Sequence, residues 1–158
     1  MFKVNQDVSI HFIGIGGIGM SGIAEVLLAN GLQVSGSDLS QSQRTEKLQE
    51  LGADIFIGHS SKNVKNTTVV VYSSAINIKN PEYVYAIENN IPLMRRAEML
   101  AELMRLKKGI AIAGTHGKTT TTSFLSTILE ESRFDPTYII GGIVANLKGH
   151  AKVGKGEF

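Results

Sequence analysis

Along this chain, short apolar runs typical of strands alternate with segments whose apolar residues recur at helical spacing. The first apolar run, VSIHFIGIGG at residues 8–17, is typical of a buried strand that leads into a tight glycine turn. In the next segment, residues 18–31, Ile23 and Val26 recur at helical spacing and Gly31 lies where a helix commonly stops. The chain is therefore predicted to begin with a strand, a glycine-rich turn and a helix.

The same alternation continues to the end of the sequence. Asn80 and Pro81 form a favourable helix start, because asparagine caps a first turn and proline suits its first position. Further strands are predicted at residues 32–38, 55–59, 67–76, 91–94, 109–115 and 136–142, and further helices at residues 44–54, 80–90, 95–109 and 118–132. This alternation predicts an α/β fold, a Rossmann-like parallel sheet with helices on both faces.

The stretch RLKKG, residues 105–109, is the predicted boundary between two units. Five predicted strands precede it, enough for a small Rossmann-like domain, which we assign to residues 1–107. Residues 108–158 hold only two predicted strands and one helix, too few for an independent domain. We therefore expect them to be the opening part of a second domain.

Composition and charge narrow the function classes. Hydrophobic residues make up 42% of the chain and charged residues 19%, which indicates a globular protein. The net charge of +2 is too small to indicate nucleic-acid binding, and the absence of cysteine excludes disulfides and thiolate zinc sites. The first residues, MFKVNQDVSI, lack the apolar stretch of a signal peptide, and no apolar run suffices for a membrane helix. We therefore expect a cytoplasmic protein without membrane insertion.

The first glycine-rich loop has the pattern G-x-G-x-x-G, formed by Gly14, Gly16 and Gly19. The first glycine permits the turn, the second lets the backbone approach a pyrophosphate, and the third lets helix and strand pack closely. Asp38 ends the second predicted strand 24 residues after Gly14, where a carboxylate can accept a hydrogen bond from a ribose hydroxyl. These residues predict a site for a nucleotide diphosphate at the helix N-terminus, but leave the nucleotide open, NAD included.

The second glycine-rich loop is GTHGKTTTT, residues 114–122. Gly117, Lys118 and Thr119 match the G-K-T end of a Walker A loop, in which the lysine reaches the β and γ phosphates and the hydroxyl ligates Mg²⁺. Ile112 stands where the general pattern requires glycine, so the full Walker A pattern is not met.

Phosphoryl transfer also needs an acidic residue at the end of an apolar strand to hold the metal. None of the acidic residues after the second loop ends such a strand; they are Glu130, Glu131, Asp135 and Glu157. We therefore interpret residues 108–158 as the truncated start of a P-loop ATPase domain.

Several stretches occur in an order that resembles a known family. They are HFIGIGGIGMSGIAEVL, GSD, GH, SSAI, NPE, RAEMLAELM and GTHGKTTTT. Together they resemble the Mur ligases of bacterial cell-wall synthesis, from about Val8 to the end of the chain. The resemblance accounts for Ile112, since the family uses the shorter loop G-T-x-G-K-T. His116 favours the members that join L-alanine to UDP-N-acetylmuramate or the related murein-tripeptide ligases, and GIGMSGIAEVLLANG suits the L-alanine branch better.

The resemblance implies an ATP- and Mg²⁺-dependent ligase that activates a carboxylate as an acyl phosphate, which the amine of L-alanine then attacks. This chain would be its N-terminal part, inactive alone, with Lys118 and His116 as catalytic residues. The implied residues for UDP-N-acetylmuramate are Gly14, Gly16, Gly17, Gly19, Asp38, His59, Ser73 and Ser74. Those implied for ATP are Gly114, Thr115, His116, Gly117, Lys118, Thr119 and Thr120, with Thr119 also on the metal.

Some of these side chains also have a structural interpretation. His59 follows the third predicted strand and either lies near the uracil end of UDP, as the resemblance implies, or caps a turn. Ser73 and Ser74 follow the fourth strand and either bond the nucleotide or form a turn. One of Arg95 and Arg96 is expected near the diphosphate, and the sequence does not decide which.

Two further segments carry structural expectations. His11 alternates within the first strand and is predicted to be a core histidine with its hydrogen bonds satisfied. Residues 148–156 are basic and glycine-rich, which predicts a flexible end or, if ordered, a segment beside the substrate.

Two other functions stay open. A nicotinamide-dependent oxidoreductase explains the first loop and Asp38 but leaves the second loop without a role. A non-catalytic nucleotide-sensing module explains two strand–loop–helix units but not the order of the family stretches.

Overall fold

The computed structural model describes residues 8–144, 147 and 149–158. Its strands are β1 Ser9–Ile13, β2 Gln33–Asp38, β3 Asp54–Ile57, β4 Val69–Tyr72, β5 Leu93–Arg95, β6 Tyr138–Val144 and β7 Gly149–Lys152. Its helices are α1 Ile18–Ala29, α2 Gln43–Glu50, α3 Pro81–Glu88, α4 Arg96–Met104 and α5 Lys118–Glu131, with a short 3-10 helix at Ser61–Val64. The predicted lack of an apolar leader falls largely on residues 1–7, outside the described residues. No helix in the described ranges is long and apolar enough to cross a bilayer.

Strands β1 to β5 form one parallel sheet in the order β3-β2-β1-β4-β5. Ile10 of β1 pairs with Val34 on one side and with Val69 on the other. The strand order reverses at β1, so a crevice opens at the carboxyl ends of β1 and β4, where such sheets bind ligands. The predicted parallel α/β sheet is confirmed, and the first glycine loop lies at this crevice.

Successive residues of β1 contribute to two apolar layers, one on each face of the sheet. Phe12 packs with residues of α1 and α4, such as Ile23 and Met99, on one face of the sheet. Ile13 packs with Val70 and with Ala86 of α3 on the other face. Because apolar residues on both faces of β1 are buried, helices cover the sheet on both sides, as predicted.

Local capping fixes where two helices begin. The Asn80 side chain accepts hydrogen bonds from the backbone N–H groups of Glu82 (2.9 Å) and Tyr83 (3.4 Å), with Pro81 in the first helical position, as predicted. Helix α2 begins after Ser42, whose backbone N–H donates to Thr45 Oγ1 at 2.8 Å. These caps satisfy donors that a helix start otherwise leaves unpaired.

The strand predicted at residues 109–115 is wrong, because the structure has no strand there. An apolar run becomes a strand only beside a partner, and none of the described strands pairs with this one. Ile110 instead lines a cavity of about 260 Å³ together with Leu103 of α4, Leu125 of α5 and Phe158.

The expectation of a flexible end at residues 148–156 is also wrong for the part that is described. Strand β7 pairs antiparallel with β6, with Ile139 opposite Ala151. Lys152 Nζ donates to Glu130 Oε1 at 2.5 Å and to Asp135 Oδ1 at 2.8 Å. Lys152, a residue of the segment predicted to be flexible, is therefore paired with two carboxylates, and the segment forms the second strand of a hairpin.

The β6–β7 hairpin packs against helix α1 of the parallel-sheet unit. A Cβ added to Gly22 of α1 would lie 3.1 Å from Ile139 Cγ2 and 3.4 Å from Ala151 Cβ. The absence of a side chain at Gly22 therefore lets the hairpin approach closely. The hairpin is therefore ordered against the parallel-sheet unit.

Candidate functional site

The β1–α1 loop presents the uncovered N-terminus of helix α1. Gly14 has a φ of +80°, and the N–H groups of Gly14 and Ile15 donate to the Ser37 carbonyl at 2.8 and 3.0 Å. Gly17 precedes the helix without a side-chain cap, and the first turn holds no acidic residue. The partial positive charge of the helix end is therefore open to an anion.

Asp38 braces this loop from the end of β2. Its Oδ2 accepts the N–H of Gly16 at 2.8 Å, and its Oδ1 accepts the N–H of Leu39 at 2.8 Å. A Cβ added to Gly16 would lie 2.8 Å from the same Oδ2, so Asp38 itself requires glycine at this position. Each carboxylate oxygen keeps a second lone pair, and the predicted ribose contact of Asp38 stays a prediction.

Two arginines bring positive charge to the same loop. Arg44 of α2 donates its Nε–H to the carbonyl of Gly16 at 2.5 Å. Arg96 of α4 lies against Gly19, where an added Cβ would be 2.7 Å from Arg96 Nη1. No local pattern connects residue 44 with residue 16, so nothing in the sequence points to Arg44 as part of the site.

The structure separates Arg95 from Arg96, which the sequence left undecided. The backbone N–H of Arg95 donates to Glu98 Oε2 at 2.6 Å, and its guanidinium interacts with Tyr72. The hydrogen bond with Tyr72 raises the pKa of Arg95 above its ordinary value, with smaller contributions from Glu98 and Tyr83. Arg96 is therefore the arginine that faces the glycine loop.

His59 belongs to a hydrogen-bonded cluster centred on Glu82. Its Nδ1 lies 2.9 Å from Ser37 Oγ and 3.2 Å from Glu82 Oε2. Glu82 also accepts from Ser37 Oγ (2.5 Å) and from Asn63 Nδ2 (2.7 Å), while His11 Nε2 lies 3.7 Å away. The Glu82 side chain has no exposed surface. In the sequence, Glu82 stands within the stretch NPE, and no local pattern points to its role.

The Glu82 cluster favours a charged carboxylate despite its burial. Burial alone raises the pKa of Glu82, but interactions with His11, Ser37 and Asn63 together hold it below its usual value of 4.5. Buried charge is tolerated where hydrogen bonds satisfy it in this way. His11 is buried as predicted, but only its Nδ1 is hydrogen-bonded, to Ser35 Oγ at 2.9 Å, and its Nε2 has no hydrogen-bond partner among the described atoms.

Ser73 and Ser74 lie at the same sheet edge, after β4. Ser73 Oγ accepts the N–H of Ala75 at 3.4 Å, and its carbonyl accepts the N–H of Ile76 at 3.1 Å. A Cβ added to Gly14 would lie 3.4 Å from Ile76 Cδ1, so this turn adjoins the glycine loop. Ser73 forms a turn here, and nucleotide contacts by either serine stay a prediction.

The second glycine loop precedes helix α5. Gly114 and Gly117 have φ values of +153° and +77°, which favour glycine. Lys118 Nζ donates to the carbonyl of Gly114 and, at 3.2 Å, to that of Thr115. The residues predicted to bind ATP are exposed: Gly114, Thr115, His116, Gly117, Lys118, Thr119 and Thr120. The loop is therefore accessible to a ligand, and its lysine already lies within it.

The described residues offer this loop little metal-binding capacity. No group of three or more His, Cys, Asp or Glu side chains in the described ranges could hold a metal ion. Thr119 lies beside β6, where a Cβ added to Gly142 would be 3.0 Å from Thr119 Cγ2. Mg²⁺ typically combines one or two carboxylates with phosphate oxygens and water. The assignment of Thr119 as a ligand of Mg²⁺ therefore stays a prediction.

The two loops are connected through the hairpin. Helix α1, which begins at the first loop, contacts both β6 and β7, and helix α5, which begins at the second loop, contacts β6. The chain therefore holds two glycine-loop helix starts against one shared two-stranded element.

Comparison with known proteins identifies the family. Residues 9–120, which include the first loop and the second loop as far as Thr120, match the family described as "Mur ligase family, catalytic domain". The chain belongs to the Mur ligase family. The resemblance of the quoted stretches is thereby confirmed.

Relatives share most of the chain. It is 61% identical over 149 residues to the UDP-N-acetylmuramate–L-alanine ligase of Geotalea uraniireducens, covering 94% of this chain and 32% of that protein. For the ligase of the same name from Trichlorobacter lovleyi, identity is 59% with 94% and 33% coverage. The chain thus spans about a third of the length of the curated relatives it matches.

A solved structure shares the fold. The UDP-N-acetylmuramate–alanine ligase of Thermotoga maritima superposes with a TM-score of 0.86 at 37% identity, covering 94% of this chain and 35% of that one. A murein peptide ligase from Psychrobacter arcticus gives a TM-score of 0.85 at 28% identity, covering 96% and 34%. The agreement extends over nearly the whole chain.

Proposed function

We propose that this chain is the N-terminal part of an ATP-dependent ligase that joins L-alanine to UDP-N-acetylmuramate in peptidoglycan precursor synthesis. The observation that carries the proposal is the presence of two glycine-loop helix starts within a chain about 60% identical to ligases of that name. Residues 1–107 are the UDP-substrate domain in this proposal, and residues 108–158 begin the ATP-binding domain.

The first loop would bind the diphosphate of UDP-N-acetylmuramate. Gly14, Gly16, Gly17 and Gly19 bring backbone N–H groups and the positive end of α1 to the phosphates, and the adjacent Arg96 adds a full charge. The nucleoside would then extend across the ends of the neighbouring strands. The residues proposed to contact the UDP-substrate beyond the glycine loop are Asp38, His59, Ser73 and Ser74.

The second loop would bind ATP. Its exposed residues Gly114 to Thr120 precede α5, whose N-terminus suits phosphate. When bound, ATP supplies the phosphoryl group that activates the substrate carboxylate. Lys118 would offset negative charge on that group during transfer, Thr119 would ligate Mg²⁺, and His116 would contact the reacting groups.

Family membership favours this function over the two alternatives. An oxidoreductase leaves the second loop without a role, and a sensing module requires no acceptor amine. We further propose that the enzyme acts in the cytoplasm, where UDP-activated precursors and ATP are both available.

Calorimetry on this chain tests the substrate assignment. We expect binding of UDP-N-acetylmuramate that UDP displaces, with no competition from NADH. Release of phosphate from ATP should require L-alanine and UDP-N-acetylmuramate in the full-length protein and be absent for the 158 residues alone. Tight NADH binding without competition by UDP would contradict the proposal, and so would full turnover by this chain.

A further inference from the structure

A buried carboxylate, that of Glu82, lies beside Ser37 and His59 at the edge of the sheet where the nucleoside is proposed to bind. Glu82 is the second residue of α3, and its side chain has no exposed surface. Asn63 Nδ2 and the N–H of Ser60 donate to its Oε1 at 2.7 and 3.3 Å. Ser37 Oγ and His59 Nδ1 approach its Oε2 at 2.5 and 3.2 Å. The two oxygens therefore face different partners.

The directions of these hydrogen bonds fix where the proton of His59 lies. The carboxylate of Glu82 can only accept, so the Ser37 hydroxyl donates its single hydrogen to Oε2. Ser37 Oγ, 2.9 Å from His59 Nδ1, must then accept from that nitrogen. Both neighbours of Nδ1 are thus acceptors, and Nδ1 carries the proton. In the neutral ring, Nε2 is left with a lone pair.

We propose that Glu82 is a positioning residue that holds His59 in the Nδ1–H form, so that Nε2 accepts a hydrogen bond from an N–H or O–H group of the bound nucleoside. The proposal deepens the assignment of His59 and rests on the proposed binding of a UDP-substrate. No described residue hydrogen-bonds Nε2, and the side chain of His59 is 14% exposed.

The position of His59 along the sheet edge suits a nucleoside. The glycine loop follows β1, Asp38 ends the neighbouring β2, and His59 follows β3, the next strand outward. The N–H of Gly58 donates to the Asp38 carbonyl at 2.7 Å, which ties these two strand ends together. A diphosphate at the loop therefore places the ribose near Asp38 and the base toward His59. Uracil carries an N–H at N3, and ribose carries hydroxyl groups, so both offer the donor that Nε2 requires.

The variant Glu82→Gln tests the positioning. Asn63 and Ser60 are donors, so they keep an oxygen on their side, and the introduced amide nitrogen faces Ser37 and His59. A donor there makes Nδ1 an acceptor and moves the ring proton to Nε2. Two-bond ¹⁵N–¹H NMR of the histidine ring should show the Nδ1–H form in the wild type and the Nε2–H form in Glu82→Gln.

Glu88→Gln is the matched control. It makes the same change at an exposed position at the other end of α3, away from the buried cluster around Glu82. We expect it to leave the His59 spectrum unchanged. A wild-type spectrum with the Nε2–H form would overturn the proposal, and this measurement decides the matter even if Glu82→Gln does not fold.

Nucleotide selectivity tests the ligand side of the proposal. CDP replaces the N3–H of uracil with an acceptor, and 2′-deoxy-UDP removes one ribose donor. We expect one of these changes to weaken binding about tenfold in the wild type and to have little effect in Glu82→Gln. The CDP arm assigns the donor to the base, and the deoxy arm assigns it to the ribose. Equal selectivity in wild type and Glu82→Gln would overturn the acceptor role of His59. Absence of any uridine-nucleotide binding, with the tautomer shift intact, would instead refute the proposed function and leave the positioning by Glu82 confirmed.

Discussion

Ser21 Oγ in helix α1 lies 3.0 Å from Nε2 of His150 in strand β7, although 129 residues separate them in the sequence. Glu25, one turn further along α1, places Oε1 at 3.8 Å from the same nitrogen and bonds Lys47 through Oε2 at 2.7 Å. His150 is 5% exposed. This buried contact fastens the hairpin to α1, and the hairpin contacts α5 as well. It therefore contributes to the relative position of the two glycine loops.

The His150 contact predicts that stability falls under mildly acidic conditions. Burial, aided by Lys47 and Arg44 and opposed by Glu25, lowers the pKa of His150 below its usual 6.5. The unfolded chain then binds the proton first, so this stabilisation is complete above pH 6.5 and is lost as the pH falls from 6.5 through the folded-state pKa. Within that window the slope is at most about 1.4 kcal/mol per pH unit. We expect urea unfolding at pH 7.5 and 5.5 to show a larger loss in the wild type than in His150→Gln.

The other titratable groups do not account for a difference in the pH dependence of stability between wild type and His150→Gln. Glu82 has a pKa below 4.5, so the stability that it contributes is present above pH 4.5 and is lost only at more acidic pH. His11 and His59 are common to both proteins and drop out of the difference. An identical pH dependence in wild type and His150→Gln would show that His150 stays uncoupled from folding.

The parallel sheet was predictable because its determinants are local. Strands β1 and β4 are apolar runs that end at a glycine and at a pair of serines, and Asn80 caps the helix that follows β4, so each of these signals lies within a short stretch of sequence. The strand predicted at residues 109–115 was wrong because an apolar run does not specify its pairing partner. Strand β7 was missed because its stability depends on Lys152 meeting Glu130 and Asp135, which are far from it in sequence.

Some residues of the candidate site were likewise predictable from local sequence patterns, and others were not. Gly14, Gly16 and Asp38 follow from the rule that parallel strands end at one edge of a sheet. The structure connects them directly, through the hydrogen bond from Gly16 to Asp38. Arg44 and Glu82 reach the site from helices that begin elsewhere, and only the three-dimensional structure reveals them.

Arg96 and Arg95 form a matched pair for testing the diphosphate site. Both are exposed residues at the start of α4, but only Arg96 lies against Gly19. We expect Arg96→Ala to weaken UDP binding about tenfold, a modest factor because the charge is exposed to solvent. Arg95→Ala should change it less than twofold. Isothermal titration with UDP measures both, and equal losses would contradict the assignment.

Gly16 should tolerate no side chain. A Cβ there would lie 2.8 Å from Asp38 Oδ2 and 3.2 Å from Thr45 Cγ2, so Gly16→Ala must displace the carboxylate or the loop. We expect at least a tenfold loss of UDP affinity, measured by titration. Gly31→Asn at the opposite end of α1 is the control, because its φ of +78° suits asparagine and nothing lies within 4 Å. Comparable UDP affinity in wild type and Gly16→Ala would show that the loop does not approach the diphosphate.

Lys118 tests the second loop in the full-length protein. Its ammonium donates to the carbonyls of Gly114 and Thr115, so it is already held inside the loop where phosphate would bind. We expect Lys118→Ala to reduce ligase turnover by roughly 100- to 1000-fold, because charge on the transferred phosphoryl group loses its counter-charge. Binding of UDP-N-acetylmuramate should be unchanged, since that substrate is assigned to the first loop. Lys65→Ala, which removes an exposed lysine beside the 3-10 helix, should affect neither measurement. Near-normal turnover in Lys118→Ala would exclude a catalytic role for this loop, whereas a parallel loss of UDP-substrate binding would show that the two loops do not act on separate phosphates.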